Sequence, residues 1–302
     1  MYGNDYHIPV LFRETIDNLN IRTGGTYVDC TFGGGGHSRG ILEKLGTQGR
    51  LVAFDQDEDA RKNIPHDDRV LFISQNFRYI SRFLKVNDID KVDGILADLG
   101  VSSFQFNEAE RGFSTRFDGP LDMRMDKRNE TTAMHVLMHN DEKTLQDIFS
   151  KYGEVTNART LARHIVEKRT ATALASINGF KSLVAPMVKG NPNKYFAQVF
   201  QALRIEVNEE LKVLQELLSQ VPELLNSGGR CAIITFHSLE DRMVKNFFKQ
   251  GTFDVVDKNP LFNSTFQNPL KVITRKPVAP SQQEISNNSR SRSARLRVAE
   301  KI

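Results

Sequence analysis

The segment from residue 26 to residue 45 constrains the fold of this chain more than any other. Its first residues, 26–30, form a short apolar run with β-branched and aromatic side chains, which predicts a buried strand. The glycines Gly33–Gly36 end this strand, and a helical pattern follows, with Ser38 as the expected N-cap. Strand, glycine turn and helix are typical of the first unit of a doubly wound fold, where the backbone approaches a nucleotide-like ligand closely. A plain glycine-rich connection is the alternative that this loop alone leaves open.

Further apolar runs with the length and composition of buried strands follow along the chain, at residues 50–57, 70–75, 92–100 and 229–236. Helical patterns are predicted before, between and after them, at 8–20, 58–63, 77–84 and 239–248. Short strands are predicted in the final part of the chain, at 253–256, 270–274 and 295–298. Strands that alternate with helices predict a parallel sheet with right-handed crossovers, and therefore a doubly wound α/β fold.

A long segment interrupts this alternation after Ser103. Residues 104–130 are rich in charge, glycine and phenylalanine but have no clear period, and a long irregular segment in a compact domain is usually functional or disordered. The phenylalanines at 106, 113 and 117 argue against disorder. Helical patterns then dominate, at 145–152, 158–168 and 205–225. We therefore predict a doubly wound domain made of 1–103 and 226–302, interrupted by a helical insertion over 104–225.

The composition predicts a globular cytoplasmic protein. Of the 302 residues, 39% are hydrophobic and 26% are charged, which is ordinary for a globular chain. The sequence contains no apolar run of about 18 residues and no secretory signal, so neither a membrane span nor export is expected. Cys30 and Cys231 lie in strand-like apolar runs, which predicts reduced core thiols rather than a disulfide or a metal site.

The positive charge of the chain is concentrated in two segments, although the net charge is only +4. Residues 159–194 contain seven lysines and arginines against the single acid Glu167, and residues 271–302 contain eight against Glu284 and Glu300. Such local excesses indicate a polyanionic partner. Solvated helix faces and a frayed tail explain the same charges equally well at this stage.

Polar residues follow several predicted strands at their carboxyl ends, where open α/β sheets bind ligands: Asp29 with the glycine loop, Asp55, Asp98, and residues 235–238. The glycine loop does not complete the dinucleotide fingerprint G-x-G-x-x-G, because its two registers place Ser38 or Arg39 at the third glycine. No Gly-Lys-Ser/Thr follows the glycines, which excludes a P-loop.

S-adenosylmethionine fits these residues better than a nucleotide phosphate does. It has no phosphate, and its sulfonium cation favours a rim of carboxylates. Asp55 is expected to accept hydrogen bonds from both ribose hydroxyls. We expect Phe77 to pack on the adenine, and Asp98 and Gln105 to lie near the amino-acid end of the cofactor and the transferred methyl group.

Eight blocks of sequence stand in order along almost the whole chain: His7–Leu11, Asp29–Ser38, Asp93–Ser103, Glu110–Ser114, Asp118–Asp126, Phe200–Asn208, Phe236–Arg242 and Arg290–Arg297. Together they resemble the RsmH (MraW) family of bacterial 16S ribosomal RNA (cytosine-N4)-methyltransferases. The resemblance implies a Rossmann-like class I methyltransferase fold and S-adenosylmethionine as cofactor. It further implies N4-methylation of a cytidine in the decoding centre, the P-site region, of the small ribosomal subunit.

The resemblance also implies which residues contact the cofactor: Gly34, Gly35, Gly36, His37, Asp55, Phe77, Asp98 and Gln105. The family is expected to carry a larger residue at position 34, so this chain departs from it in having four consecutive glycines. Backbone contacts at position 34 are unaffected by this difference, whereas a side-chain contact there is not carried over.

The exocyclic amine of cytosine is a weak nucleophile, because its lone pair is conjugated with the ring. Hydrogen-bond acceptors must draw the nitrogen toward tetrahedral geometry and align it with the methyl–sulfur bond. Asp98 and the carbonyl groups of Leu99 and Gly100 are the candidates for this catalytic role. His237 is the second catalytic candidate, as a contact to the base or its phosphate. The pattern at 238–241 also predicts a helix-opening capping box, which would make His237 structural.

Binding of structured RNA needs further groups outside the cofactor site. An extruded cytidine requires an aromatic or apolar wall, for which the candidates are Phe104, Phe106 and Phe113. The basic segments at 159–194 and 290–297 are expected to hold RNA phosphates, so that the helical insertion recognises the substrate. Four charged residues predict either a salt-bridged scaffold or a rim that faces the substrate: Asp118, Asp122, Arg124 and Asp126.

Two other classes of function remain open at this stage. An amino-methyltransferase acting on DNA or protein would share the cofactor site, although the Asp-Pro-Pro-Tyr/Phe signature of many such enzymes is replaced here by Asp98-Leu-Gly-Val. A non-catalytic RNA-binding assembly factor would retain the fold, and Asp55 and Asp98 argue against it. The sequence also leaves open whether naked RNA or the assembled subunit is the substrate, whether the protein is a homodimer, and whether a metal ion helps to hold RNA.

Overall fold

The computed structural model describes residues 9–254 and 266–302, and these residues form two compact units. The first unit consists of 9–100 together with 212–254 and 266–302. The second unit is the continuous segment 101–211. Residues 255–256 of the predicted strand at 253–256 lie outside the described residues, and 253–254 are not in a strand; residues 7–8 of the first sequence block also lie outside.

Helices account for most of the connections in the first unit and for most of the second unit. In chain order, the first ten α-helices of the described residues are α1 (Phe12–Leu19), α2 (Gly36–Lys44), α3 (Ile80–Val86), α4 (Ser103–Asn107), α5 (Ala133–His139), α6 (Glu142–Lys151), α7 (Ala158–Lys168), α8 (Ala171–Leu174), α9 (Ile177–Val184) and α10 (Pro192–Val207). The remaining α-helices are α11 (Glu210–Leu224), α12 (Ser238–Gln250) and α13 (Gln282–Asn287). Short 3₁₀ helices lie at Glu58–Asn63, Phe77–Tyr79, Ala109–Arg111, Ala185–Met187 and Ser289–Ser293.

One sheet organises the first unit. Its strands within the described residues are β1 (Thr26–Asp29), β2 (Arg50–Phe54), β3 (Val70–Ile73), β4 (Val92–Asp98), β5 (Leu225–Thr235), β6 (Leu270–Val272) and β7 (Arg295–Lys301). The strand order is β3-β2-β1-β4-β5-β7-β6. The first five strands pair in parallel, and β7 is antiparallel to both of its neighbours.

The central strands are apolar on both faces because helices cover both faces. Val28, Val52 and Ile95 lie on one face in a core cluster with α3, α11 and α12. The residues that precede or follow them, Tyr27 and Leu51 among them, lie on the other face with α1 and α2. This alternation with a period of two is the arrangement that a buried parallel sheet requires. The predicted doubly wound α/β fold is confirmed.

The second boundary between the units lies at 211/212, earlier than the boundary at 225/226 that the sequence predicted. The reason is the apolar face of α11, where Leu214, Leu217 and Leu218 are buried in the core of the first unit. The predicted single helix over 205–225 is also wrong, since the chain breaks between α10 and α11. The buried side chain of Asn208 accepts a hydrogen bond from Met125 N (2.7 Å) and donates one to the Met123 carbonyl (2.8 Å), which stops α10 at this point.

The second unit has its own apolar core, built from the helices between α5 and α10. Leu137, Phe149, Leu161 and Phe180 are among its fully buried side chains. The irregular segment before these helices is held together by internal hydrogen bonds, in which Arg111 donates to the carbonyls of residues 124 and 125 at 3.1 and 3.0 Å. A core of this kind is consistent with a domain that folds as a unit.

Candidate functional site

The turn between β1 and α2 requires glycine at two positions. Gly33 and Gly35 have positive φ angles of 50° and 72°, a region that side chains other than glycine rarely adopt. Gly35 is the N-cap residue, and α2 begins at Gly36. The prediction that Ser38 caps this helix is wrong, because Ser38 lies inside the first turn with its side chain buried.

Ser38 instead belongs to a chain of hydrogen bonds that joins the glycine turn to the neighbouring strand. Its Oγ donates to Asp29 Oδ2 at 2.7 Å, and the Thr31 amide donates to Asp29 Oδ1 at 3.0 Å. Thr31 Oγ1 in turn accepts from the Asp98 amide at 2.7 Å. Burial raises the pKa of Asp29, while Ser38 and Thr31 act in the opposite direction. These contacts fix the carboxyl ends of β1 and β4 relative to each other.

Asp55 follows β2 directly and is partly buried. Its two carboxylate oxygens accept from the amides of Gly33 (2.7 Å) and Asp57 (2.8 Å). Burial raises the pKa of Asp55 to about 6, and the two amide donors limit the rise. On the other side of the turn, Asn63 Nδ2 donates to the Gly33 carbonyl at 3.0 Å. Asp55 therefore shapes the glycine turn and remains a carboxylate that hydroxyl groups of a ligand can reach.

Phe77 stands in the 3₁₀ helix that follows β3, partly buried against the core of the first unit. The preceding residue, Asn76, accepts from the Arg78 amide (2.9 Å) and donates to Gln56 Oε1 (2.7 Å). Because Gln56 is next to Asp55, this last bond connects the loops after β2 and β3. The aromatic ring and the carboxylate are thus carried by linked loops at one edge of the sheet.

Asp98 ends β4 with its side chain 24% exposed. Its Oδ2 lies 3.6 Å from Nδ1 of the buried His37, and its Oδ1 is buried without a hydrogen-bond partner among the described residues. Burial raises the pKa of Asp98 well above its usual value, and the charges of Asp29 and Glu240 raise it further. Burial lowers the pKa of His37 to about 4, so the imidazole is neutral at physiological pH.

His237 is the N-cap of α12 and forms a capping box with Glu240. Its Nδ1 accepts from the Glu240 amide (3.4 Å), and Glu240 Oε2 accepts from the amides of Phe236 (2.8 Å) and His237 (3.3 Å). A capping box opens this helix, but the predicted position at 238–241 is wrong by one residue, because His237 and Glu240 form the box and Ser238 and Asp241 do not. His237 Nε2 is buried and makes no hydrogen bond, although Glu240 Oε1 lies 3.2 Å away outside hydrogen-bond geometry.

These groups lie at the carboxyl ends of β1 to β5, which meet at one edge of the sheet. The edge offers backbone groups of Gly34, Gly35 and Gly36, a neutral histidine at 37, two carboxyl groups and an aromatic ring. Such a set can bind an uncharged sugar and a flat base, and its carboxyl groups suit a cation. The glycine turn makes close approach of a ligand to the backbone possible.

Gln105, which was predicted to contact the cofactor, lies in the second unit. Its buried side chain is part of a capping box at α4, where Oε1 accepts from the Ser102 amide at 3.0 Å. Of the phenylalanines predicted to form a base-binding wall, Phe113 is buried in the second core and Phe106 packs against it. Phe104 is half exposed and is therefore the one of the three that is free of the core.

The charged residues of the segment 118–126 form a scaffold, one of the two alternatives the sequence left open. Arg124 makes a two-point ion pair with Asp122 (2.7 and 2.8 Å), and Asp126 makes a similar pair with Arg128. Asp118 accepts from the amides of residues 119 and 178 at 3.1 and 3.0 Å. These carboxylates hold the irregular segment in place.

The basic residues of 159–194 divide into two groups. Arg169 donates to the carbonyls of residues 137 and 140, and Lys181 donates to the Thr115 carbonyl, so both support the second unit internally. In contrast, Arg159, Lys168, Lys189 and Lys194 are exposed, as is Arg163, whose Nε lies 3.5 Å from Glu142 Oε1. Counting charges in the sequence could not distinguish the basic side chains that bond within the second unit from those that are exposed to solvent.

The prediction that the segment 290–297 binds phosphates through its arginines is wrong for Arg297. This residue lies in β7, its side chain is 8% exposed, and it forms a two-point ion pair with Asp241 at 2.6 and 2.9 Å. The strand predicted at 295–298 is confirmed as part of β7, an inner strand of the sheet, so the alternative of a frayed tail does not hold for these residues. Arg297 connects β7 to α12.

The sequence did not single out Thr31 or Asn76, and it assigned Ser38 the different role of a helix cap; all three residues hold the site together. The sequence feature that could have pointed to Thr31 and Ser38 is their polar character within an otherwise apolar strand–turn–helix unit. Cys30 and Cys231 are buried free thiols, as predicted. None of the helices in the described part of the chain has the length and hydropathy needed to cross a membrane.

Comparison with known proteins gives a consistent result. A family model with the description MraW methylase family matches residues 4–302. Ribosomal RNA small subunit methyltransferase H of Bacteroides fragilis is 51% identical over 98% of this chain and 97% of its own. The protein of the same name from Flavobacterium psychrophilum is 51% identical over 96% of this chain and 100% of its own. The crystal structure of an rRNA methylase from Streptococcus thermophilus aligns with 98% of this chain and 99% of its own, at a TM-score of 0.45 and 10% identity.

Proposed function

Because this chain belongs to the MraW methylase family, we propose that it transfers a methyl group from S-adenosylmethionine to ribosomal RNA of the small ribosomal subunit. The proposed acceptor is N4 of a decoding-centre cytidine of 16S ribosomal RNA. The observation that carries this proposal is the convergence of the glycine turn, Asp55 and Asp98 at one edge of a class I methyltransferase-type sheet. Relatives named for this activity, with half of their residues identical over nearly the full length, support it.

The residues at this edge fit S-adenosylmethionine. Asp55 has lone pairs left for the ribose hydroxyls, since each of its oxygens accepts one amide hydrogen bond. The ring of Phe77 is expected to cover the adenine, and the backbone at Gly34, Gly35 and Gly36 together with His37 is expected to line the cofactor. The buried, unpartnered Oδ1 of Asp98 suits the positive charge that the cofactor brings. The contact of Gln105 with the cofactor stays a prediction from the family resemblance.

The cofactor supplies an activated methyl group, and the residues of the chain must prepare the acceptor nitrogen. We assign this task to Asp98, which accepts a hydrogen bond from the cytosine amine and directs its lone pair toward the methyl carbon. The carbonyls of Leu99 and Gly100 are the proposed second acceptors, next to a turn in which Gly100 has a φ of 92°. Hydrogen bonds of this kind draw the amine out of conjugation with the ring. The amine proton leaves during or after attack, so no strongly basic residue is required.

His237 is proposed as a contact to the target base or its phosphate. Its Nδ1 accepts from the Glu240 amide, which leaves Nε2 as the ring nitrogen that donates. This Nε2–H is a buried donor without a hydrogen-bond partner, and a buried donor of that kind is uncommon in a folded protein. A carbonyl or phosphate oxygen of the RNA would satisfy it.

The second unit is proposed to hold the RNA backbone around Asn157. This side chain donates to the Met187 carbonyl (2.9 Å) and accepts from the Tyr195 hydroxyl (3.0 Å). The exposed Arg159, Lys189 and Lys194 are each within two residues of one member of this junction, and we infer that their charges act together on the RNA backbone. Exposed positive charges that do not support the fold are suited to phosphate contacts, which increase affinity for RNA but add no sequence specificity.

The decisive experiment measures methyl transfer from labelled S-adenosylmethionine to small ribosomal subunits that lack the modification, followed by nucleoside analysis. We expect label in N4-methylcytidine, and we expect Asp98→Ala to abolish it. Asp90→Ala, at an exposed aspartate, is the matched control and should retain the activity. Parallel reactions with naked 16S ribosomal RNA and with DNA identify the substrate form. Cofactor binding without label in any of these substrates would contradict the proposed activity.

A further inference from the structure

The carboxyl group of Asp98 is surrounded by groups that do not neutralise it. Asp29 on β1 and Glu240 on α12 are carboxylates that raise its pKa, and His237 precedes Glu240. The third neighbouring element, α2, contributes His37, whose Nε2 is 3.2 Å from the Val10 carbonyl. Because a carbonyl only accepts, Nε2 carries the proton, and the unprotonated Nδ1 faces Asp98 Oδ2 at 3.6 Å.

No lysine or arginine of the described residues pairs with Asp98. Its Oδ1 is buried and without a hydrogen bond, and so is Nε2 of His237, whose side chain is only 7% exposed. Buried polar atoms in native proteins are nearly always hydrogen-bonded, so these two atoms, at the end of β4 and just after β5, indicate groups that a ligand satisfies, although Glu240 Oε1 lies 3.2 Å from His237 Nε2. For Asp98 the missing partner is a cation or a proton.

The inference that follows rests on the proposed function. We propose that Asp98 is uncharged in the free protein and ionises when the cationic cofactor binds, so that this carboxyl group distinguishes S-adenosylmethionine from S-adenosylhomocysteine by charge. The proton of Asp98 passes to solvent when the cofactor binds. During transfer the methyl carbon leaves sulfur for nitrogen, the C–S electron pair stays on sulfur, and the amine loses a proton. The product is a neutral thioether, and Asp98 takes up a proton again.

This arrangement has two consequences for the reaction. The ionised Asp98 that the cytosine amine requires as an acceptor is present only when the methyl donor is bound. After transfer, the carboxylate loses the sulfonium that stabilised it, which favours release of the product over its retention. The same group would therefore prepare the acceptor and select the donor.

The sign of the pH dependence follows from linkage. The pKa of Asp98 is raised in the free protein and falls when a cation binds, so affinity for S-adenosylmethionine rises with pH until the free protein is itself ionised. Affinity for the neutral product, S-adenosylhomocysteine, does not depend on the ionisation of Asp98 in this way. Asp55, with a pKa of about 6, contacts the ribose of both ligands, so its protonation cancels in the ratio of the two dissociation constants. His37, with a pKa of about 4, does not titrate above pH 5.5.

The test is titration calorimetry of the full chain with each ligand between about pH 5.5 and 6.5, where the amino group of both ligands stays almost fully protonated. Each titration is run in two buffers that differ in ionisation enthalpy, which reports the protons released. We expect S-adenosylmethionine to release more protons than S-adenosylhomocysteine, by up to one. We also expect the ratio of their dissociation constants to change by up to about tenfold per pH unit in favour of S-adenosylmethionine.

Asp98→Asn should remove the pH dependence of this ratio, whereas Asp55→Asn should weaken both ligands and leave the dependence in place. The comparison of ligands on the unaltered protein needs no variant, so a folding defect in Asp98→Asn does not prevent the test. Equal proton release for the two ligands, or a ratio that stays constant with pH, would overturn the inference while leaving the proposed function intact. Absence of binding by both ligands at every pH would overturn the proposed function itself.

Discussion

The contact between Ser38 and Asp29 provides a direct test of how the glycine turn is stabilised. Ser38 is fully buried, and its hydroxyl donates to a carboxylate that is itself only 1% exposed. A hydrogen bond to a charged group contributes about 1.5–3 kcal/mol. Alanine is a better helix former by a few tenths of a kcal/mol, which offsets a small part of the loss. We therefore expect Ser38→Ala to destabilise the first unit by about 2 kcal/mol.

In a thermal unfolding experiment followed by circular dichroism, a change of this size lowers Tm by about 4–8 °C for a unit of roughly 150–250 residues. The pKa of Asp29 is raised above its unfolded value, so ionisation of the folded carboxyl costs stability as pH rises through the interval between the two pKa values. Loss of the Ser38 donor increases this cost, and the difference in Tm should therefore be larger at pH 8 than at pH 5. Ser219→Ala, at an exposed serine in α11, is the control and should change Tm by less than about 1 °C. A Ser38→Ala variant with unchanged Tm at pH 8 would refute the role assigned to this contact.

Two further substitutions test the turn and the RNA surface. Gly35→Ala combines a positive φ with a Cβ 2.9 Å from the Phe32 ring, whereas Gly24→Ala has a similar φ of 80° and open space around it. We expect Gly24→Ala to lower stability by about 1 kcal/mol, and Gly35→Ala to lower it further and to weaken cofactor binding, as measured by thermal unfolding and calorimetry. Equal effects would show that the approach of Phe32 is unimportant. Arg159→Ala should weaken binding to 16S ribosomal RNA and reduce the slope of log K against log salt concentration by about 1, while Lys143→Ala, whose ammonium is paired with Asp147, should change the slope less. A slope unaffected by Arg159→Ala would exclude this residue from the phosphate contacts.

The fold was predictable because its determinants are local. Each central strand is a run of apolar residues with a polar residue after it, and each intervening helix has its own period, so the order of elements follows from the sequence. The antiparallel insertion of β7 between β5 and β6 was not predictable, since nothing within 295–301 specifies which strands it pairs with. The length of the insertion was overestimated for a similar reason. The apolar stripe of α11 is equally compatible with either core, and only the packing of Leu214 and Leu217 assigns it to the first unit.

The candidate site was predictable to the extent that its residues follow strands. Asp55 and Asp98 stand at strand ends, where the fold brings side chains together, and the glycines precede a helix. The residues that hold the site together were missed because their roles depend on hydrogen-bond or ion-pair partners that are distant in sequence. Ser38 has the composition of a helix cap, and only the position of Asp29 beneath it shows that its hydroxyl serves a buried carboxylate. Arg297 likewise resembled a phosphate-binding residue until its pairing with Asp241 was known.

The interruption of the first unit has a consequence for synthesis of the chain on the ribosome. β4 lies in the middle of the sheet, yet its partner β5 comes only after the whole of 101–211 has been made. At 5–20 residues per second this delay is on the order of ten seconds, during which one edge of β4 has no partner. The second unit is continuous in sequence and contains its own core, so it can fold in this interval. The inserted unit would then be complete before the sheet that carries it is closed, and the exposed edge of β4 would be the part of the nascent chain most prone to misassociation.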